Sequence, residues 1–385
     1  FVGGAGDFDA AGAIRSPGAL EAQIAGALDN VAGALAAESC GLADIVRLKA
    51  FYRSDGAVDE WSLRAALSNA IGAAPAPVMT LNPVPQQPWP GQEIQLQAIA
   101  LRGWRELDDV RSVTRAVSGP PAELFDDPTV TDGLRAGEFY AVGGQTATDW
   151  ESGRSLAQGG VDQTHAVMAR LGEIQTELGA SFQDAVKKEG YYFGTTMDEW
   201  AAMAALRATY FREPAAVATV VPCHALWPQE ALTKVEVVGM REHWNGFDKY
   251  IPREDRWPKR VWDWPIPVPY RQGIRLRDTI WTGGQVPWEP NANTGKAMHP
   301  GDVIAQARFV MSYIEDILHA FDTTTGALRL LVCYFASSGS VEDTRAFVEA
   351  VDDCVAGPLP PITAVPQPHL HSDDTRVEIW GVADA

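Results

Sequence analysis

The feature of this sequence that most limits its possible folds is a repeat with a period of 140 residues. A pair of adjacent glycines begins at Gly3 and returns at Gly143 and at Gly283. After each pair, apolar residues recur at steps of three and four, which is typical of an amphipathic helix. These apolar positions are Leu20, Ile24, Leu28, Val31 and Leu35, then Val167, Leu171, Ile174 and Leu178, then Val303, Ala307, Val310, Ile314 and Ile317. The chain is therefore expected to contain three copies of one structural unit.

The rest of each unit also repeats in the same order. A strand ending in an aromatic pair is expected near Phe51, Tyr191 and Tyr334, and a second helix near Asp59, Asp198 and Val341; an alternating strand closes each unit, over 94–98, 235–239 and 377–381. This order predicts a β-α-β-α-β unit. No GxGxxG or GxxxxGK[ST] motif follows a strand, so the glycine pairs are expected to allow close approach of strands rather than to bind nucleotides.

Five segments follow from this repeat. We predict repeats over 1–103, 135–242 and 266–385, joined by linkers over 104–134 and 243–265. The second linker is rich in Trp and Pro, as in Trp257-Pro258 and Trp264-Pro265, and is expected to pack along the surface. The first strand of repeat 1 is expected to be missing upstream of Phe1.

Composition excludes several classes of partner. The formal charge of −19 disfavours nucleic acids and anionic membranes, and no apolar run is long enough for a membrane span. The four cysteines are widely spaced and form no CxxC pair, which favours a reducing, cytoplasmic location. A small-molecule substrate is the expected partner.

The third copy resembles the Rid family (RidA/YjgF) of imine and enamine deaminases. Pro269, Tyr270, Gln272 and Gly273, followed by the run 283–287 (Gly-Gly-Gln-Val-Pro), match the family's opening. The resemblance implies α+β domains of the chorismate-mutase-like type, which assemble as trimers with a central β-barrel, helices outside and clefts between subunits. Three fused copies are therefore expected to form an intramolecular pseudo-trimer that acts as a monomer.

The resemblance also implies which residues carry the chemistry. In the family, a glutamate of the closing strand holds the attacking water, and an arginine binds the substrate carboxylate. The glutamate position reads Gln95, Glu236 and Glu378, so Glu236 and Glu378 are the catalytic candidates. The arginine position reads Pro77, Ala216 and Pro360. Ordinary 2-imino acids are therefore expected to bind poorly, and the substrate to lack that carboxylate or to be held by another group.

The remaining candidates come from the same comparison. The candidate substrate-binding residues are Gly144, Tyr192, His224, Tyr270, Gly284 and Gln285, and the histidines that could replace the arginine are His224, His369 and His371. Each has a structural alternative: both glutamates could be ion-paired strand residues, and His224 could be a packing residue. The pair His369 and His371 lacks a visible third ligand, so neither a metal nor a cofactor is predicted.

The sequence thus predicts a hydrolase or deaminase that adds water to a C=N or related electrophilic carbon in a cleft between repeats. The alternative is a non-catalytic pseudo-trimer that binds a metabolite or docks a partner.

Overall fold

Three mixed β-sheets, each accompanied by two helices, make up the chain. The computed structural model describes residues 1–54, 58–149, 154–194, 196–241, 243–244, 249–250 and 253–385. In every sheet, one parallel strand pair lies beside antiparallel pairs. The fold is therefore of the α+β class, as predicted.

The first sheet has the strand order β1-β4-β2-β3, with β2 and β3 parallel. Its elements are β1 (Val2–Ala5), α1 (Leu20–Ala37), β2 (Ile45–Arg53), α2 (Glu60–Ile71), β3 (Val78–Val84) and β4 (Ile94–Ala100).

The second sheet has the order β11-β10-β12-β7-β6-β5, and β8 and β9 form a separate short hairpin. Its elements are β5 (Val110–Ala116), β6 (Thr129–Ala136), β7 (Phe139–Thr146), β8 (Thr148–Asp149), β9 (Arg154–Ser155), α3 (Gly160–Glu177), β10 (Ala185–Tyr192), α4 (Met197–Ala208), β11 (Val217–Pro222) and β12 (Thr233–Met240). The segment expected to be the first linker thus adds strand β5 to this sheet.

The third sheet has the order β15-β16-β17-β20-β18-β19, preceded by the pair β13 and β14. Its elements are β13 (His243–Trp244), β14 (Lys249–Tyr250), β15 (Arg253–Arg256), β16 (Gly273–Leu276), β17 (Thr279–Thr282), α5 (Val303–His319), β18 (Leu328–Ala336), α6 (Val341–Asp352), β19 (Ile362–Gln367) and β20 (Val377–Asp384).

The second helix of each repeat begins within two residues of its predicted position. Side-chain oxygens cap all three: Asp59 accepts from the backbone N–H groups of Trp61 and Ser62, and Thr196 and Ser340 cap α4 and α6 in the same way. Among the described helices, none combines the length and the apolar composition that crossing a bilayer requires.

The two faces of each sheet serve different cores. One face packs against the helices of its own repeat, forming three separate apolar clusters. The opposite faces of all three sheets meet in one shared cluster, to which Phe51, Tyr191 and Tyr334 contribute from equivalent positions. The Tyr191 and Tyr334 hydroxyls are 3.3 Å apart. The alternation of side chains along each strand therefore gives every sheet one face toward its own helices and one face toward the shared cluster.

The closed central barrel expected from the resemblance is not formed as one continuous sheet within the described residues, where the three sheets remain distinct. They meet instead through local contacts at the glycine pairs. At Gly143, an added Cβ would lie 2.7 Å from the carbonyl oxygen of Met79, so only glycine allows this approach. The backbone N–H of Gly144 donates to Thr80 Oγ1 at 2.9 Å, and that of Gly284 donates to the Ala218 carbonyl at 2.8 Å. The predicted role of the glycines in strand approach is confirmed.

Candidate functional site

A cavity of about 290 Å³ lies between the second and third repeats. We call it the tryptophan cavity. Its polar and aromatic lining residues are Lys188 and Tyr192 of β10, Trp200 and Arg207 of α4, Trp262, Trp264 and Tyr270 of the segment before β16, Trp288, Thr294, His371, and Glu378 of β20. The predicted residues Tyr192, Tyr270, Gly284 and Glu378 thus come together in one place.

Glu378 is the carboxylate of this cavity and is only 4% exposed. Its Oε2 lies 2.6 Å from Nε2 of His371, whose side chain is 15% exposed. Its Oε1 faces Gly284, where an added Cβ would lie 1.9 Å from that oxygen. Gly284 therefore provides the space for the carboxylate, and His371 fixes its orientation.

Two buried basic side chains, Lys188 and Arg207, line the same cavity as this carboxylate. The Lys188 Nζ and the Arg207 Nε and Nη2 atoms have no hydrogen-bond partner in the described part of the chain. Burial lowers the pKa of Lys188 well below its ordinary value, and the positive charge of Arg207 lowers it further. Burial also lowers the pKa of Arg207. Buried basic groups without hydrogen-bond partners are costly, so a bound anion would favour the charged form of Lys188 and stabilise the guanidinium of Arg207.

Six aromatic side chains also line the cavity. The Trp262 ring centroid is 4.7 Å from that of Trp264 and 4.8 Å from that of Trp288, in edge-to-face arrangements. Lys188 Nζ lies 4.8 Å from the centroid of Tyr270. Such walls suit a flat or unsaturated ring.

Gln285 supports this wall from behind, without lining the cavity. Its Oε1 accepts from Trp262 Nε1 at 3.1 Å, and its Nε2 donates to Gln272 Oε1 at 2.7 Å. The structure thus places Gln285 as a buried residue that positions Trp262.

A second cavity of about 390 Å³ adjoins the first. We call it the histidine cavity. It contains His224, His369 and His371, and it shares Tyr192, Trp200 and His371 with the tryptophan cavity. His224 Nε2 lies 2.9 Å from the Ser54 carbonyl oxygen of the first repeat, and burial lowers the pKa of His224. Of the three histidines proposed as arginine replacements, only His371 reaches the tryptophan cavity among the described contacts.

Glu236, the other predicted catalytic carboxylate, lies elsewhere. It is buried at the junction of the first and second repeats, where its Oε2 is 2.8 Å from Arg47 Nη2 and accepts from Thr80 Oγ1 at 2.8 Å. Its Oε1 is 2.5 Å from Lys49 Nζ. Although burial opposes ionisation, Arg47 and Lys49 lower the pKa of Glu236 well below its ordinary value. Glu236 therefore lies in an ion-pair cluster, outside the cavities described for the chain.

Gly144 lies at the same junction, where side chains fill the space beside it. An added Cβ there would meet Thr80 and Lys234, and Lys234 Nζ lies 3.3 Å from Glu60 Oε1. At the third junction, Gln95 Nε2 donates to the Ala364 carbonyl at 2.8 Å. Of the three aligned positions, Glu378 alone lines one of the described cavities.

Lys188 and Arg207 were missed by sequence reasoning. Arg207 lies in the last turn of α4, outside the turn where the family's arginine was sought, and Lys188 lies in the middle of β10. A charged residue at a buried position of a strand is the one signal that could have indicated Lys188.

Comparisons with known proteins agree with this architecture. The family model described as Endoribonuclease L-PSP matches residues 129–240 and 265–385. RutC family proteins of Pyrococcus horikoshii and Pyrococcus abyssi are 30% and 31% identical to this chain over 111 residues, which is 28% of this chain and 84% of each relative. A chorismatase crystal structure is similar in fold, with a TM-score of 0.53 and 12% identity over 88% of this chain and 93% of that one.

The matched residues cover more than half of the chain and include both repeats that form the tryptophan cavity. The protein therefore belongs to the Endoribonuclease L-PSP family, which comprises the YjgF, RidA and RutC proteins.

Proposed function

We propose that this protein is a small-molecule hydrolase that acts on an anionic ring compound in the tryptophan cavity. One observation carries the proposal: a carboxylate, Glu378, lines the same aromatic cavity as two buried basic side chains, Lys188 and Arg207, whose Nζ, Nε and Nη2 atoms have no hydrogen-bond partner among the described residues. Basic groups and a carboxylate that line one cavity could provide both a substrate anchor and a proton donor.

The anchor is the pair of cations. A carboxylate of the substrate would accept hydrogen bonds from Arg207 and Lys188, each contributing about 1.5–3 kcal/mol. The rings of Trp264 and Tyr270 would hold the apolar part of the substrate. Arg207 of α4 and Lys188 of β10 would thus supply the positive charge that the family's arginine provides. That charge is missing at the aligned positions Pro77, Ala216 and Pro360.

Glu378 supplies the proton transfers. Its carboxyl group donates a proton to the nitrogen of a C=N group or to the terminal carbon of an enol ether, which leaves the adjacent carbon electrophilic. Water then adds to that carbon, and the carboxylate accepts the proton that the water loses. The adduct collapses to a carbonyl compound and an amine, or to a carbonyl compound and an alcohol.

Chorismate is the first compound to test. It is a cyclohexadiene carboxylate with an enolpyruvyl ether, so it has the ring, the anionic groups and the electrophilic carbon that this cavity would accept. The fold shared with a chorismatase supports the choice, while the activity itself is part of our proposal. A panel of 2-imino acids tests the deaminase form of the same chemistry.

The experiment compares the wild-type protein with Glu378→Gln. Pyruvate release from chorismate is measured with lactate dehydrogenase, and imine hydrolysis is measured by the release of ammonia. We expect Glu378→Gln to lower kcat by about 10²–10⁴-fold. Glu349→Gln is the control, because it makes the same charge change at an exposed position of α6. A Glu378→Gln protein with wild-type kcat would refute the proposal.

The alternative is a protein that binds a metabolite or docks a partner without catalysing a reaction. The enclosed cations favour binding whether or not Glu378 acts as an acid. Saturable binding of chorismate with no product, unaffected by Glu378→Gln, would favour this alternative.

We also propose that the three repeats form the pseudo-trimer within one chain. The shared apolar cluster supports this arrangement, because every repeat contributes to it. Sedimentation is expected to give one chain of 41.6 kDa. An obligate mass of about 125 kDa, three chains, would contradict it.

A further inference from the structure

We propose that His371 is a proton relay that connects Glu378 to the histidine cavity. This inference rests on the proposed role of Glu378 as the general acid and base. It assigns a function to the histidine cavity, which the proposed reaction does not otherwise use.

The two oxygens of Glu378 have different surroundings. Oε1 faces the space left by Gly284, whereas Oε2 is held by His371 Nε2 at 2.6 Å. His371 lines both cavities, while Glu378 lines only the tryptophan cavity among those described. The His371 side chain therefore lines the histidine cavity and also contacts the carboxylate.

The enclosure of Glu378 makes such a path useful. With the carboxylate 4% exposed, a ligand in the tryptophan cavity would separate it from bulk water. The addition begins with Glu378 as the acid, and its later step as a base only returns that proton, so a carboxylate that is enclosed before it is protonated needs a route for one proton. Imine hydrolysis at neutral pH also consumes a proton, because the amine leaves as ammonium.

In this relay, a water molecule in the histidine cavity gives a proton to Nδ1 of the neutral His371 ring, while the Nε2 proton of the same ring passes to Glu378 Oε2. The ring ends neutral with its proton on Nδ1, Glu378 ends as the acid, and the donating water is left as hydroxide, or as water when hydronium was the donor. The reverse transfer returns the proton to the histidine cavity.

Other titratable groups surround the pair on every neighbouring element. They are Lys187, Lys188 and Tyr192 on β10, Arg207 on α4, Tyr334 on β18, His224 after β11 and His369 after β19. His224 Nε2 is hydrogen-bonded to the Ser54 carbonyl, whereas His371 Nε2 contacts Glu378.

The test uses His371→Ala and His371→Asn with chorismate as the probe, or with the 2-imino acid that the wild-type protein turns over fastest. We expect His371→Ala to lower kcat at least about tenfold with little change in KM, and added imidazole to restore it saturably. Rescue by a series of substituted imidazoles should depend on the pKa of each buffer. Asparagine can hold the carboxylate by a hydrogen bond but cannot relay a proton, so His371→Asn should remain slow.

Each outcome decides one point. Full activity in His371→Asn would mean that His371 only positions Glu378, and full activity in His371→Ala would mean that it is not needed; either result overturns the relay. A slow, folded His371→Ala protein that no imidazole rescues also overturns it, while the proposed function stands. Full activity in Glu378→Gln, or no turnover of any compound tested, instead overturns the proposed function.

Discussion

Gly284→Ala tests whether the position of the Glu378 carboxylate determines activity. The added Cβ would lie 1.9 Å from Glu378 Oε1, whereas real Cβ atoms essentially never approach another heavy atom closer than 3.0 Å. The carboxylate must therefore move by about 1 Å, and its contact with His371 must lengthen or break. A misplacement of about 1 Å costs about 10²-fold in rate, so we expect kcat to fall by about that factor while the protein stays folded.

The assay is the initial rate of pyruvate release from chorismate, together with thermal unfolding. Gly33→Ala is the control, because a Cβ at that helical position meets nothing within 4 Å. Gly144→Ala makes the same change at the junction of repeats 1 and 2, where the Cβ would meet Thr80 and the flexible side chain of Lys234, and a far smaller loss is expected there. A Gly284→Ala protein with unchanged kcat would refute the reasoning.

Three further predictions concern charge. Replacing Arg207 or Lys188 by Met should raise the Kd for chorismate about 10–100-fold, from the loss of a charge-assisted hydrogen bond. It should also raise the melting temperature, because a buried polar group without a hydrogen-bond partner among the described residues is removed. Unchanged affinity would exclude these side chains as the anchor. Anion binding should take up a proton, because the pKa of Lys188 is lowered in the free protein and a bound anion raises it. Affinity for the anion should therefore fall as pH rises from the pKa of Lys188 in the free protein to its pKa in the complex. Calorimetry in buffers of different ionisation enthalpy should detect the proton uptake. Glu236→Gln should cost about 3–5 kcal/mol in urea unfolding, because Arg47 and Lys49 then share Glu189 as their one remaining carboxylate among the described contacts. Since the folded pKa of Glu236 is depressed, its contribution to stability is present above the unfolded pKa and is lost as pH falls through the folded one. A difference in unfolding free energy between Glu236→Gln and Glu349→Gln that does not change with pH in this range would contradict the prediction.

The fold was largely predictable because its determinants are local and periodic. The glycine pairs, the apolar helix steps and the alternating closing strands each reflect one backbone geometry repeated three times. The exception is the barrel, since whether neighbouring sheets join depends on contacts such as that of Gly143 with Met79, which come from different repeats.

The site was predictable only in part. The family motif indicated both Glu236 and Glu378, and the sequence could not separate them, because Glu236 is enclosed by Arg47 from a position 189 residues away. Likewise, α4 brings Arg207 into the tryptophan cavity although no motif contains it. Long-range packing therefore decides which of the aligned carboxylates lines a cavity and which basic side chains line it as well.

The most direct test of the proposed site is a crystal structure of Glu378→Gln soaked with chorismate. We expect the ligand in the tryptophan cavity, with a carboxylate within hydrogen-bonding distance of Arg207 or Lys188 and the reacting carbon beside residue 378. A ligand bound at another junction, or in the tryptophan cavity with its carboxylates directed away from both cations, would contradict this assignment.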